Sequence, residues 1–321
     1  LPDGRFFAYI YGMMKTHESR SDEWRRSRLA ELIEALTGHD GEHRTRVEGV
    51  LLWRASAPIP RHPVVYQSRI VVVAQGRKRG YLGGQMYCYD PYQYLVLAVP
   101  LPFECETEAT PDEPLLGVAV DIDATMLGEM LLEMDEDAPK ASVPRGIYAS
   151  PLTADLTDAV IRLLECLDSP LDSRMLGRQL VREIVYRVLC GEQGDALRAL
   201  ANRNDHFTQI ARVLRHIHAD YARPLAASAL AQLAGMSASV FHQAFKQVTD
   251  TTPIQYIKQV RLHRARTLMA YDGHNAGTAA TEVGYESQSQ FGREFKRLFG
   301  VTPAQDAANL RSQVAANVTR S

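Results

Sequence analysis

Apolar residues recur along this 321-residue chain with three successive rhythms. Over "SDEWRRSRLAELIEALT", residues 21–37, Trp24, Leu29, Leu32, Ile33 and Leu36 fall near one helical face, and Ser21 can cap the start. After "HDGEH" the rhythm shortens. The segments "VEGVLLWRASAP", "VVYQSRIVVVAQG", "RKRGYLGGQMYCYD", "QYLVLAVPLPFECETEAT" and "EPLLGVAVDID" are rich in Val, Leu and Tyr and punctuated by Gly-Gly, Asp-Pro and Pro-Asp turns. Short strands at such spacing predict a β-barrel or sandwich up to about residue 123. The interior or mouth of a barrel is a usual seat for a small ligand.

From Pro151 the period becomes helical. Leu156, Val160, Leu163, Leu164 and Leu167 form one stripe, stopped by Ser169-Pro170; Leu176, Leu180, Ile184 and Val188 form the next, closed by Gly191. Two amphipathic helices with a short break predict an αα-hairpin. It can cover the strands, serve as a self-association surface, or do both. "GEQGDALRALANRNDH" reads as a polar linker, after which Ile210, Val213, Leu214 and Ile217 open a wholly helical region.

That region states one pattern twice. Ala231-x-x-Ala234-Gly235-Met236 falls on Ala280-x-x-Val283-Gly284-Tyr285, Phe241-x-x-x-Phe245-Lys246 on Phe291-x-x-x-Phe295-Lys296, and Pro253 on Pro303. Each copy reads as helix, glycine turn, helix. Gly235 and Gly284 can take the left-handed conformation that ends a helix, Ser237 and Ser287 stand as N-caps, and the Phe pairs at i, i+4 face inward. That is the grammar of a helix-turn-helix unit, whose second helix enters the major groove. Between the copies, "IQYIKQVRLHRARTLMAYD" contains neither Gly nor Pro. About 18 helical residues span about 27 Å, a length that, with the width of the units, suits successive major grooves about 34 Å apart.

These strings resemble the AraC/XylS family of bacterial transcription regulators. The resemblance is close over residues 208–310, in "LAGMS", "TPIQYIKQVRLHRARTLM" and "VGYESQSQFGREFKRLFGVTP", and looser over 28–190, in "LAELIEALTG", "VVVAQGRK", "YLVLAVPLP" and "REIVYRVLCG". It implies an α+β multidomain fold: an N-terminal cupin-like β-barrel with a helical hairpin, and a C-terminal all-α domain with two helix-turn-helix units joined by a long helix. The expected division is 1–27 leader or N-terminal segment, 28–145 regulatory domain, 146–192 dimerisation hairpin, 193–207 linker, 208–310 DNA-binding domain and 311–321 tail. Two departures stand out: Asp250 occupies the place of the glycine matched by Gly300, and "NAGTAATEVGY" is small and weakly apolar for a supporting helix.

On the faces left free by the Phe pairs, Ser239, His242 and Gln243 in the first unit and Gln288, Ser289 and Arg293 in the second are the candidate base readers. Arg pairs bidentately with guanine and Gln with adenine. Lys246, Lys296 and Arg297, with the helix-start residues Ser237 and Ser287, are the candidate phosphate contacts. In the strand region Trp53, Tyr66 and Tyr94, with Gln75 and Lys78 as polar anchors, are the candidate effector site.

Charge changes the picture in one respect. The net charge is −2, yet from His206 onward there are 13 Lys+Arg against 7 Asp+Glu, leaving 23 against 31 in the remainder. A basic C-terminal third on an acidic body points one module at a polyanion. Cys88, Cys105, Cys166 and Cys190 form no metal-ligand spacing and read as reduced thiols. No metal site or cofactor is expected. His216-Ile217-His218 lies on a helix, where i and i+2 diverge, and reads as two surface histidines. No run of about 18 apolar residues exists, and the first twenty residues lack the apolar core of a secretory signal. No G-x-S-x-G, P-loop or Cys/His arrangement is present, so the chain is not read as an enzyme. The expectation is a cytoplasmic, homodimeric transcription activator. Its expected partners are double-stranded DNA, RNA polymerase and a small-molecule effector. The alternative is a cupin-type enzyme or ligand-binding protein with a DNA-binding tail; alkyl-transfer repair of the Ada type would need a zinc-binding cysteine cluster.

Overall fold

The computed structural model describes residues 21–82, 85–134, 145–192, 194–201 and 206–318. The chain opens with α1 (21–36), so residues 21–27, expected as part of a leader, are the first turns of a helix whose Leu29 and Ile33 are fully buried. Positions 1–20 of that expected segment lie outside the described residues.

Ten strands follow: β1 (Gly41–Arg44), β2 (Val50–Ala55), β3 (Ile59–Tyr66), β4 (Arg69–Gln75), β5 (Arg77–Leu82), β6 (Gln85–Tyr89), β7 (Gln93–Leu97), β8 (Leu101–Glu108), β9 (Leu115–Asp121) and β10 (Ile147–Pro151). They form two antiparallel sheets, ordered β1-β2-β9-β4-β7-β10 and β3-β8-β5-β6. The central strands β4 and β9 are near-continuous runs of Val, Leu and Ala buried on both faces. Such runs belong where one face meets the other sheet and the reverse face is covered by helices. Each fully buried Val, Leu or Ile contributes about 1.5–3 kcal/mol. Gly117 has a steric role: a Cβ there would stand 2.4 Å from the Trp53 ring, so its absence lets the indole lie against β9.

Between β9 and β10 runs α2 (Ala124–Glu133), not foreseen from the apolar pattern although Asp123 caps it through Thr125 N and Met126 N. The hairpin is α3 (Ala154–Asp168) and α4 (Pro170–Leu189), with Ser169 capping the second helix and Pro170 beginning it. The buried stripe of α3 is the expected one. On α4 the expected Ile184 and Val188 are buried, joined by Gly177 and Val181, and Leu180 packs half-buried against the core. The expected Leu176 instead points outward at 50% exposed, beside Leu171 and Met175 at 57% and 61%. Gly177 lets α4 seat on Val47, because a Cβ there would clash with a Val47 methyl. Within the expected linker lies α5 (Asp195–Ala201), whose Ala196 and Leu197 are buried.

The C-terminal part is helical throughout: α6 (His206–Asp220), α7 (Ala227–Ala234), α8 (Ala238–Thr249), α9 (Pro253–Tyr271), α10 (Ala276–Glu282), α11 (Gln288–Phe299) and α12 (Pro303–Val318). The expected tail from 311 continues α12. Thr252 caps α9 and Pro253 begins it, and Thr302 stands likewise ahead of Pro303, its hydroxyl accepting from Gln305 N. The Thr-Pro of each repeat is thus a cap followed by a first-turn proline. No helix among the described residues is long and apolar enough to cross a membrane.

The strands and the first helical unit share one buried core, which includes Phe241, Phe245, Val248 and Tyr256; the second unit has its own, built on Phe291, Phe295, Met269 and Val283. Two bonds fasten the first unit to the sheets: Gly146 N donates to Val248 O at 3.0 Å, and Tyr256 Oη donates to Pro100 O at 2.7 Å. His218 is therefore not a surface residue. Its Nε2 lies 2.8 Å from Tyr256 Oη, whose proton is directed to Pro100, so the imidazole donates through Nε2. Burial, with Arg264 nearby, lowers its pKa to about 4. His216 is half-buried too, beside Asp220 at 3.3 Å.

Candidate nucleic-acid interface and effector cavity

Each helix-turn-helix unit is built as its repeat implies. Gly235 and Gly284 close α7 and the turn after α10 with φ of 67° and 84°. Ser237 Oγ accepts from Val240 N, and Ser287 Oγ from Gln290 N. Phe241, Phe245, Phe291 and Phe295 are buried to 2% exposure or less. With the apolar stripe turned inward, Ser239, His242 and Gln243 on α8 and Gln288, Ser289 and Arg293 on α11 are all exposed. Lys246, Lys296 and Arg297 are exposed in the last turns, where cations also complement the helix dipole. Ser237 and Ser287 are exposed at the helix starts. The structure adds Val240, 39% exposed on α8, an apolar group of the kind that meets thymine methyls.

The two units are fixed differently. In the second, Glu294 on the inner side of α11 accepts from Lys258 Nζ at 2.7 Å, Tyr285 Oη at 2.8 Å and Gln290 Nε2 at 3.1 Å. Burial opposes its charge, but these donors outweigh burial and hold the carboxyl below its usual range. Arg266 forms a two-pronged pair with the buried Asp306, at 2.7 and 3.1 Å, tying α9 to α12. Arg261 donates to the carbonyls of Tyr221, Arg223 and Gly284, bridging the approach to α7 and the turn before α11. A Cβ on Gly284 would stand 2.3 Å from Ala222 O, whereas one on Gly235 would meet nothing within 4 Å. The small residues of α10 serve its approach to α9: Ala279 and Ala280 are fully buried, and Asn275 caps the helix through Thr278 N at 2.9 Å. The first unit carries the departure: Asp250 closes α8 at φ 56°, the one positive-φ non-glycine among the described residues.

Of the five residues expected to form an effector site, the structure brings three together. Trp53, Tyr66 and Lys78 line a cavity of about 210 Å³ between the two sheets. Lys78 is 9% exposed and donates to Tyr66 Oη at 2.8 Å. Gln75 stands elsewhere, its amide donating to Pro114 O at 2.9 Å. Tyr94 is buried in the core on β7, beneath Gly191 at the end of the hairpin. All five were chosen by residue type, and it is the alternation of β5 in the structure that turns Lys78 inward. Arg69, which also lines the cavity, was not singled out from the sequence.

Comparison with known proteins agrees with this layout. The family described as "AraC-type transcriptional regulator N-terminus" matches residues 46–196, and that described as "Helix-turn-helix domain" matches 230–309. The thermoregulatory protein LcrF of Yersinia pestis is 26% identical over 249 residues, covering 74% of this chain and 88% of its own. The virulence regulon transcriptional activator VirF of Yersinia enterocolitica is 27% identical over 198 residues, 60% of this chain and 69% of that protein. Among solved structures, apo ToxT K231A from Vibrio cholerae strain SCE256 superposes with a TM-score of 0.57 over 83% of this chain and 100% of that one, at 11% identity, a likeness of fold. A two-sheet regulatory part followed by two helix-turn-helix units, with both family matches in that order, makes this chain a DNA-binding transcription regulator of the AraC/XylS family.

Proposed function

We propose that each chain reads two successive major grooves of its operator, with α8 in one and α11 in the next, and that a small effector in the two-sheet domain switches this binding. The observation that carries the reading is the paired exposure of polar side chains on two helices whose Phe pairs are buried. The 19-residue α9 supplies a spacer of about 28 Å. Ser239, His242, Gln243, Gln288, Ser289 and Arg293 contact bases, and Ser237, Lys246, Ser287, Lys296 and Arg297 contact phosphates.

The working division is a regulatory domain beginning at α1 rather than at residue 28, the hairpin 146–192, a connection 193–207 that includes α5, and the DNA-binding domain from 208. The protein acts as a cytoplasmic homodimer that activates transcription with RNA polymerase. The outward Leu171, Met175 and Leu176 of α4 support the hairpin as the dimer surface. Selection of binding sites from random DNA tests the two-groove reading: the selected sites contain two half-sites about one turn apart, and inserting about 5 bp between them abolishes binding. Retention of full affinity after the insertion contradicts it.

A further inference from the structure

The cavity between the sheets is rich in hydrogen-bond donors and poor in acceptors. Lys78 enters it from β5, with its Nζ 5.4 Å from the Trp53 ring centroid and 5.5 Å from that of Tyr66. An ammonium has three donors, and Tyr66 Oη takes one of them. Burial works against this cation, but the Tyr66 hydroxyl and Cys105 thiol beside it outweigh burial and hold its pKa above the ordinary value. Among the described residues no carboxylate forms an ion pair with it. Glu42 lines the cavity but is exposed. Two further lining residues carry buried N–H groups with no acceptor among the described residues: Trp53 Nε1 and the Nε of Arg69, whose Nη2 pairs with Asp121 at 3.0 Å.

A buried cation without an acid, beside two unanswered donors, is a costly arrangement for a structural core. A hydrophobic side chain of the same volume would do as well or better there. The same set is suited to a ligand that brings the missing acceptors. A carboxylate offers two oxygens with about four acceptor sites, and the faces of Trp53 and Tyr66 with Val71 and Leu115 suit a flat or short apolar body. The volume exceeds the roughly 150 Å³ that admits benzene, so one ring or a short alkyl chain with its acid group fits.

We propose that the effector of this protein is a small apolar carboxylate, whose acid group is bound by Lys78 with Trp53 and Arg69 as supporting donors. This rests on the effector-switched reading above, and names its ligand class.

The test uses the full chain carrying Trp24→Phe, which leaves Trp53 as the sole indole. Phenylacetate and hexanoate are titrated against their neutral amides, with Trp53 emission and calorimetry as readouts. The acids perturb the emission at millimolar concentration or below, and bind at least about tenfold more tightly than the amides. Lys78→Met removes that preference while the melting temperature stays level or rises. Trp53→Phe, read by calorimetry, weakens the acids more than the amides.

Equal binding of acids and amides, no response to either acid, or an unchanged preference in Lys78→Met overturns the proposal. So does a marked fall in melting temperature on Lys78→Met, which would make the lysine a structural member. Operator binding separates the two readings. Acids that bind with the stated preference but leave operator affinity unchanged uphold the anion cavity and remove the effector switch. A neutral compound that shifts operator affinity equally in the parent and in Lys78→Met upholds the switch and overturns the acid assignment.

Discussion

The two helix-turn-helix units share a sequence pattern but not a structural dependency. The first has no core of its own: Phe241, Phe245 and Tyr256 belong to the buried cluster that includes the sheets, and Gly146 and Pro100 bond directly to Val248 and Tyr256. The second closes its own core, fixes α11 through Glu294 and ties α12 to α9 through Arg266 and Asp306. Repetition of a motif therefore repeats the reading face without repeating the support. A change in the sheet domain has a direct physical route to the first unit. It reaches the second through β3, which packs against α9 and α11, and through Arg261, which bonds to both sides.

The largest predicted effects come from breaking the cores. Phe245→Ala and Phe295→Ala each remove about 3–5 kcal/mol of local packing. In thermal denaturation, Phe245→Ala lowers the main transition, because its core is shared with the sheets. Phe295→Ala instead produces an early transition of the second unit, and in a footprint it loses protection of one half-site. Next in size, Arg293→Ala weakens operator binding by about 1–3 kcal/mol and relaxes preference at one base position, read by competition with single-substituted sites. Lys296→Ala weakens all sites alike and lowers the salt slope by about 1.

Glu294 sharpens the contrast through pH. Its folded-state pKa lies below the usual carboxylate value, so its contribution is fully present above the unfolded pKa and is lost as pH falls through the folded one. On acidification below about pH 4.3, amide exchange in α11 accelerates ahead of α8. Glu294→Gln loses about 1–3 kcal/mol of charge-assisted bonding at neutral pH and removes that part of the acid dependence. The smallest effect belongs to the first unit: Asp250→Gly relieves the left-handed strain at φ 56° and raises stability by about 0.5–1 kcal/mol in denaturant unfolding.

Much of this was legible in the residues. Gly, Ser and Thr-Pro at matched positions specify turns, caps and helix starts by local chemistry alone, and the i, i+4 Phe pairs identify the buried face and hence the free one. Where tertiary contact decides, the pattern was silent or misleading. On α4, Leu176 reads as core by type, but Gly177 seats on Val47 and turns Leu176 outward. His218 reads as a surface residue until Tyr256 arrives from α9. The short helices α2 and α5 were passed over between stronger neighbours, although Asp123 was a readable cap. In the cavity, Lys78 was a choice by residue type, and Trp53 and Arg69 meet it only through the pairing of separate strands.

In the proposed mode of binding, one chain presses two unlike supported heads against one face of DNA. Hydroxyl-radical footprinting of the selected operator, with the parent and Phe295→Ala, tests it most directly. Two protected patches per half-operator about 10 bp apart are expected, with Phe295→Ala losing one patch and retaining the other. A single patch in the parent, or simultaneous loss of both in Phe295→Ala at a temperature where the sheet domain remains folded, would contradict it.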